Sequence, residues 1–123
     1  GCIGYCMGGR HVFTAAGHHP GHFRATASLH GTYLATDQDD SPHLLADKFQ
    51  GEIYCGFGEK DQYASPEVIA ALDKALGAAD VDYHHIVHAG AEHGYALPDR
   101  DIFDKAAADR DWEIFFAMLR RQL

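Results

Sequence analysis

With 123 residues, 46% hydrophobic and 23% charged, the chain has room for one compact domain and a composition that is neither disordered nor membrane-spanning. A net charge of -8, with Lys and Arg scattered except for Arg120 and Arg121, argues against a phosphate-binding basic patch and hence against nucleic acid as partner. Three cysteines, Cys2, Cys6 and Cys55, are too few and too odd for a disulfide framework and suit a reducing, cytoplasmic setting; no apolar run is long enough for a bilayer.

The chain opens with Cys2-Ile3, which reads as the stub of a strand. A helix is predicted over 7–16, stopped by Gly17, and residues 17–21 (Gly-His-His-Pro-Gly) form a loop. Residues 24–30, with Ala25, Ala27 and Leu29 alternating, suit a strand punctuated by Gly31. The polar stretch 36–41 reads as an exposed loop, and 51–57 (Ile53, Tyr54, Cys55, Phe57) as a buried strand. Ser65 is an N-cap and Pro66 a first helical residue; Val68, Ile69, Leu72 and Leu76 give that helix its apolar face, and Gly77 ends it. Tyr83–His88 is the next strand. The last helix is expected over 101–123, with Ile102, Ala106, Trp112, Phe115, Phe116 and Leu119 facing inward.

Strands alternating with helices imply an α/β fold with a parallel sheet, here three strands plus a stub flanked by helices. The stub reads like a central strand yet would lie at an edge, where unpaired backbone invites association. Residues 1–123 are therefore expected to be one partial domain that starts at its nucleophile turn, its N-terminal half absent or supplied by another chain. A homo-oligomer, or pairing with that missing half, follows as the expected association.

Gly4-Tyr5-Cys6-Met7-Gly8 has the form G-x-C-x-G, the nucleophile elbow with Cys in place of Ser. Such a turn from strand to helix is tight enough to require small residues two before and two after the nucleophile, and Gly9 permits close helix–sheet packing. Cys6 at a helix N-terminus sits where backbone N–H groups favour a thiolate, and the N–H of Met7 would supply one oxyanion-hole donor.

The acid of such a site belongs in the loop after a following strand. Asp61, in Gly58-Glu59-Lys60-Asp61, fills that position, with Glu59 as rival. The base belongs in the loop after the next strand, which singles out His93 among ten histidines; His88 is still on the strand. Two H-H-x-x-H sets, His18/His19/His22 and His84/His85/His88, invite comparison with zinc sites. Neither has the helical H-E-x-x-H form, and His84 and His85 point to opposite faces of a strand, so no metal and no cofactor are expected.

In these stretches, together with His30-Gly31, Ala91-Glu92-His93-Gly94-Tyr95-Ala96 and the helix bearing Ala106-Ala107-Ala108 and Trp112, the chain resembles the dienelactone hydrolase (carboxymethylenebutenolidase) family of α/β-hydrolases along essentially its whole length. The resemblance implies a Cys6–His93–Asp61 triad that cleaves a small-molecule ester or lactone through a thioester acyl-enzyme, and Tyr5, His30, Tyr95 and Arg100 as substrate contacts. Dienelactone hydrolases proper place an Arg directly after the H-x-aromatic-Ala stretch; here Leu97 stands there and Arg100 follows three residues later. The competing expectations are an inactive half-domain that associates through its open sheet edge and a His-rich metal module.

Overall fold

The computed structural model describes residues 1–123, all of the chain. Four parallel strands lie in the order they occur in sequence: β1 (Cys2–Tyr5), β2 (Ala25–Leu29), β3 (Glu52–Gly58) and β4 (Tyr83–His88). The expected stub is a full strand, paired with β2 from Cys2↔Thr26 to Tyr5↔Leu29, and it forms one edge of the sheet. The crossovers carry α1 (Met7–His18), α2 (Pro66–Ala78) and a 3-10 helix over Pro42–Lys48, while α3 (Lys105–Gln122) follows β4.

The two-residue period of the strands sorts the core into two layers. Ala25, Ala27, Leu29 and Tyr54 face Ala107, Phe115 and Met118 of α3. On the other side, Ile53, Cys55 and Phe57 meet Phe13, Leu72 and Leu76. Both faces of β2 and β3 are covered, as a parallel sheet requires, and every residue of those two strands is buried.

Several boundaries differ from those the sequence predicts. Gly17 does not stop α1. It lies inside the helix because a Cβ there would fall 2.7 Å from Leu45 of the 3-10 helix, so the residue is small for packing. Gly77 likewise lies within α2. The left-handed residue after that helix is Asp80 (φ 56), whose N–H bonds Gly77 O while Val81 N–H bonds Leu76 O. At the front of α2, Ser65 caps Val68 N–H as expected. The last helix starts at Lys105, not 101, because the Asp104 side chain caps Ala107 N–H. Its inward stripe is rotated from the expected one. Ala107, Ala108, Asp111, Phe115 and Met118 are buried, while Ala106 is exposed and Phe116 is 50% exposed.

Candidate active site

Cys6 occupies the single residue between β1 and α1, with φ 53 and ψ -122. For a non-glycine residue that conformation is strained by about 1–3 kcal/mol and persists only where its surroundings over-determine it. They do so here. Cys6 N–H donates to Leu29 O at 3.1 Å, and Cys6 O accepts from Gly9 N–H at 3.0 Å and from Thr32 N–H at 3.2 Å. The flanking glycines are not equivalent. A Cβ on Gly4 would lie 2.1 Å from Gly8 O, whereas a Cβ on Gly8 meets nothing within 4 Å. The expected smallness therefore applies to Gly4 and to Gly9, whose Cβ would fall 2.8 Å from Gly31 Cα, but not to Gly8.

Parallel pairing of β3 with β4, from Ile53↔Tyr83 to Gly58↔His88, ends both strands at the same level. The loops beyond them then knit together: Glu59 N–H donates to His88 O, and Lys60 N–H to Ala91 O. Glu59, the rival acid, accepts from Gly90 N–H at 2.6 Å and is exposed, so it ties the two loops to each other. Asp61 is turned inward, with its side chain 0% exposed, and accepts from Tyr63 N–H through Oδ1 at 2.8 Å. Its Oδ2 lies 2.8 Å from Nδ1 of His93, and Nε2 of His93 lies 3.1 Å from Sγ of Cys6. Three loops from three strand ends thus bring sulfur, imidazole and carboxylate into one row. An acceptor at Nδ1 fixes the tautomer of His93 and leaves Nε2 to face the thiol.

Beneath this row sits His30, which the backbone holds at φ 39 with its N–H on Gly56 O. It is 0% exposed, neither ring nitrogen has a hydrogen-bond partner, and its ring packs against Tyr5, His93 and Tyr95. Burial first, and then the neighbouring His93, pull its pKa down to about 4, so the ring is neutral near pH 7. Tyr95 is also 0% exposed and donates its hydroxyl to Asp111 at 2.6 Å. Tyr5 is half-buried, and Arg100 is exposed beside Gly94. Met7 begins α1, where the first N–H groups have no intrahelical partner.

His18, His19 and His22 are exposed, and the second histidine set is spent elsewhere. His84 Nε2 meets Glu52 at 2.7 Å, His85 Nδ1 meets Asp73 at 3.2 Å on the opposite face, and His88 Nε2 meets Asp111 at 2.7 Å. No group of three potential metal ligands comes together. A groove of about 650 Å3 runs between α1 and the 3-10 helix, lined in part by Arg10, His11, His18 and Asp40; Cys6, Asp61 and His93 do not line it.

Sequence reasoning missed Asp111. This carboxylate, 0% exposed, accepts from Tyr54 Oη, His88 Nε2 and Tyr95 Oη, all within 2.7 Å. Gly56 makes room for it, since a Cβ there would lie 2.5 Å from Tyr95 Oη and 2.7 Å from Asp111 Oδ1. The available signal was an acid set within a helical stripe of otherwise apolar residues. A buried carboxylate needs such partners to offset its desolvation.

A profile of the Dienelactone hydrolase family matches residues 1–123. The chain belongs to the dienelactone hydrolase family. A Synechocystis protein named "Putative carboxymethylenebutenolidase" is 29% identical over 116 residues, covering 92% of this chain and 46% of its own length. The Aquifex pyrophilus "Protein usf" is 24% identical over 100% of this chain and 51% of its own. Among solved structures, the "Putative Dienelactone Hydrolase" of Klebsiella pneumoniae superposes with a TM-score of 0.87 at 22% identity, over 97% of this chain and 50% of that one. The "Dienelactone Hydrolase-like Promiscuous Phospotriesterase P91" from metagenomic libraries gives 0.81 at 20% identity, over 98% and 51%. These superpositions establish the α/β-hydrolase fold. The chain spans about half the length of the relatives it matches. Membership places it in a hydrolase family, and no helix is long and apolar enough to cross a membrane.

Proposed function

We propose that Cys6, His93 and Asp61 are the nucleophile, base and acid of a hydrolase that cleaves a small-molecule ester or lactone through a thioester. The single observation that carries this is the continuous row from Sγ to Nε2 at 3.1 Å and from Nδ1 to Asp61 at 2.8 Å, with the sulfur on a strained strand-to-helix turn. Family membership over residues 1–123 supports it.

In the proposed reaction, Sγ attacks the carbonyl carbon while His93 Nε2 takes the thiol proton. The carbonyl oxygen becomes an oxyanion facing the N–H of Met7. Collapse of this intermediate breaks the carbon–oxygen bond, and His93 returns the proton to the leaving alkoxide. Water then attacks the thioester with His93 again as base, Cys6 leaves with the proton restored, and the carboxylic acid departs. Asp61 keeps its charge throughout; it fixes the tautomer and stabilises the imidazolium. Residues 1–123 are read as one partial α/β-hydrolase unit that begins at the nucleophile turn, and the activity is assigned to the intact protein that contains it.

Peptide mapping after brief iodoacetamide treatment tests the assignment. Cys6 is expected to be carbamidomethylated ahead of Cys2 and Cys55, and Cys6→Ala to abolish hydrolysis of p-nitrophenyl acetate. Undiminished turnover by that variant would end the proposal.

A further inference from the structure

Aromatic rings continue outward from His93. Tyr63, two residues past Asp61, packs its ring 4.9 Å from the His93 ring, and Tyr33 meets Tyr63 edge-on at 5.3 Å and 74°. Tyr63 is half-buried, whereas Tyr33 is 49% exposed. Tyr33 also has φ 53, a left-handed conformation that is a genuine outlier for a bulky side chain.

The backbone of Tyr33 is held in place from two directions. Arg10 Nη1 donates to Tyr33 O at 2.5 Å, and the same guanidinium pairs with Asp40 at 3.2 Å. The preceding residue, Thr32, gives its N–H to the carbonyl of Cys6. Strain of this kind survives where the surroundings enforce it, and it gathers at functional sites. Core packing does not account for it here, because about half of the residue's surface faces outward.

We propose that Tyr33 and Tyr63 form an aromatic ledge beside the Cys6–His93 pair that binds a planar ring on the substrate, so that aryl-substituted esters are preferred over small alkyl ones. The inference rests on the nucleophile assigned to Cys6 above and adds the substrate class. An open tyrosine ring followed by a second at right angles offers edge-to-face and offset contacts to an incoming ring. Such pairs are favourable beyond the area they bury, whereas an alkyl group gains the area alone.

The test uses two alkylating reagents that differ by one ring, iodoacetamide and N-phenyliodoacetamide. Their rate constants at Cys6 are measured by peptide mass, which separates Cys6 from Cys2 and Cys55, and the phenyl-to-parent ratio is divided by that of N-acetylcysteine. The expected normalised ratio is about two- to tenfold above one. Tyr33→Phe keeps it. Tyr33→Gly removes the ring while suiting the left-handed backbone, so it is expected to lower the ratio to one with no loss of melting temperature. A Tyr33→Gly protein that retains the wild-type ratio overturns the ledge, as does a wild-type ratio of one. A Cys6 no faster than N-acetylcysteine toward iodoacetamide removes the nucleophile and the inference with it, which distinguishes the two failures.

Discussion

Gly4 is pressed so closely against the turn of α1 that a methyl group on it would lie 2.1 Å from the carbonyl oxygen of Gly8. The reverse does not hold, since a Cβ on Gly8 points into open space. This asymmetry separates two positions that the G-x-C-x-G pattern treats alike. Gly4→Ala must displace backbone that is itself pinned under Cys6, and we expect a loss of about 3 kcal/mol or more in unfolding free energy. Gly8→Ala replaces a helical glycine with a better helix former and is expected to be neutral or to gain up to about 1 kcal/mol. Urea unfolding of the two variants measures both, and equal losses would contradict the geometry.

Asp61→Asn keeps the shape of the acid but can donate an amide N–H toward Nδ1, which favours the wrong tautomer of His93. By analogy with hydrolases of the same logic, kcat is expected to fall by about 10⁴-fold with the fold intact. Turnover of p-nitrophenyl acetate alongside circular dichroism checks this. Glu59→Gln, which alters a loop tie outside the row, should retain most of the activity.

Asp111 holds Tyr54, His88 and Tyr95 at the centre of the α3 side of the sheet. The two tyrosines have their pKa values raised by burial and by the nearby carboxylate, and so remain protonated donors. Asp111→Ala leaves three buried donors without an acceptor and should cost about 3–5 kcal/mol. Denaturant titration reads this directly. Because Tyr95 also packs on His30, slower alkylation of Cys6 is expected in any folded fraction.

Acid should destabilise the fold in two stages. His30 has a folded pKa of about 4 against an ordinary 6.5, so the unfolded chain binds more protons between those values. Its contribution, at most roughly 3 kcal/mol, is complete above pH 6.5 and lost as pH falls toward 4. Glu52 is buried with its side chain 1% exposed. Burial opposes its ionisation, but hydrogen bonds from Arg121, His84 and Gln122 together hold its pKa below the ordinary 4.5. That contribution is present above pH 4.5 and lost as pH falls through the lowered value. Melting temperature from pH 8 to 3 should show both limbs. His30→Phe should flatten the first, and Glu52→Gln the second.

The sequence by itself determined what depends on local spacing. The G-x-C-x-G turn, the Ser65-Pro66 helix start and the strand Tyr83–His88 are written in neighbouring residues, and the chain order of strands and loops singled out Cys6, Asp61 and His93, which the structure brings into one row. It did not determine which face of α3 is inward. The buried stripe of α3 runs through Asp111 because a carboxylate can be buried once Tyr54, His88 and Tyr95 supply donors, and those residues lie 57, 23 and 16 positions away. Nor could it place Gly17 and Gly77 inside helices: Gly17 is small because Leu45 packs on it, and such a glycine looks the same in sequence as one that ends a helix, while a Cβ on Gly77 would meet nothing. The left-handed backbones of His30 and Tyr33 were equally hidden, since contacts with Gly56, Cys6 and Arg10 impose them from distant segments. Local chemistry is legible in a sequence because it acts between neighbours; burial, strain and polar satisfaction are not, because they are settled by residues that only the fold brings together.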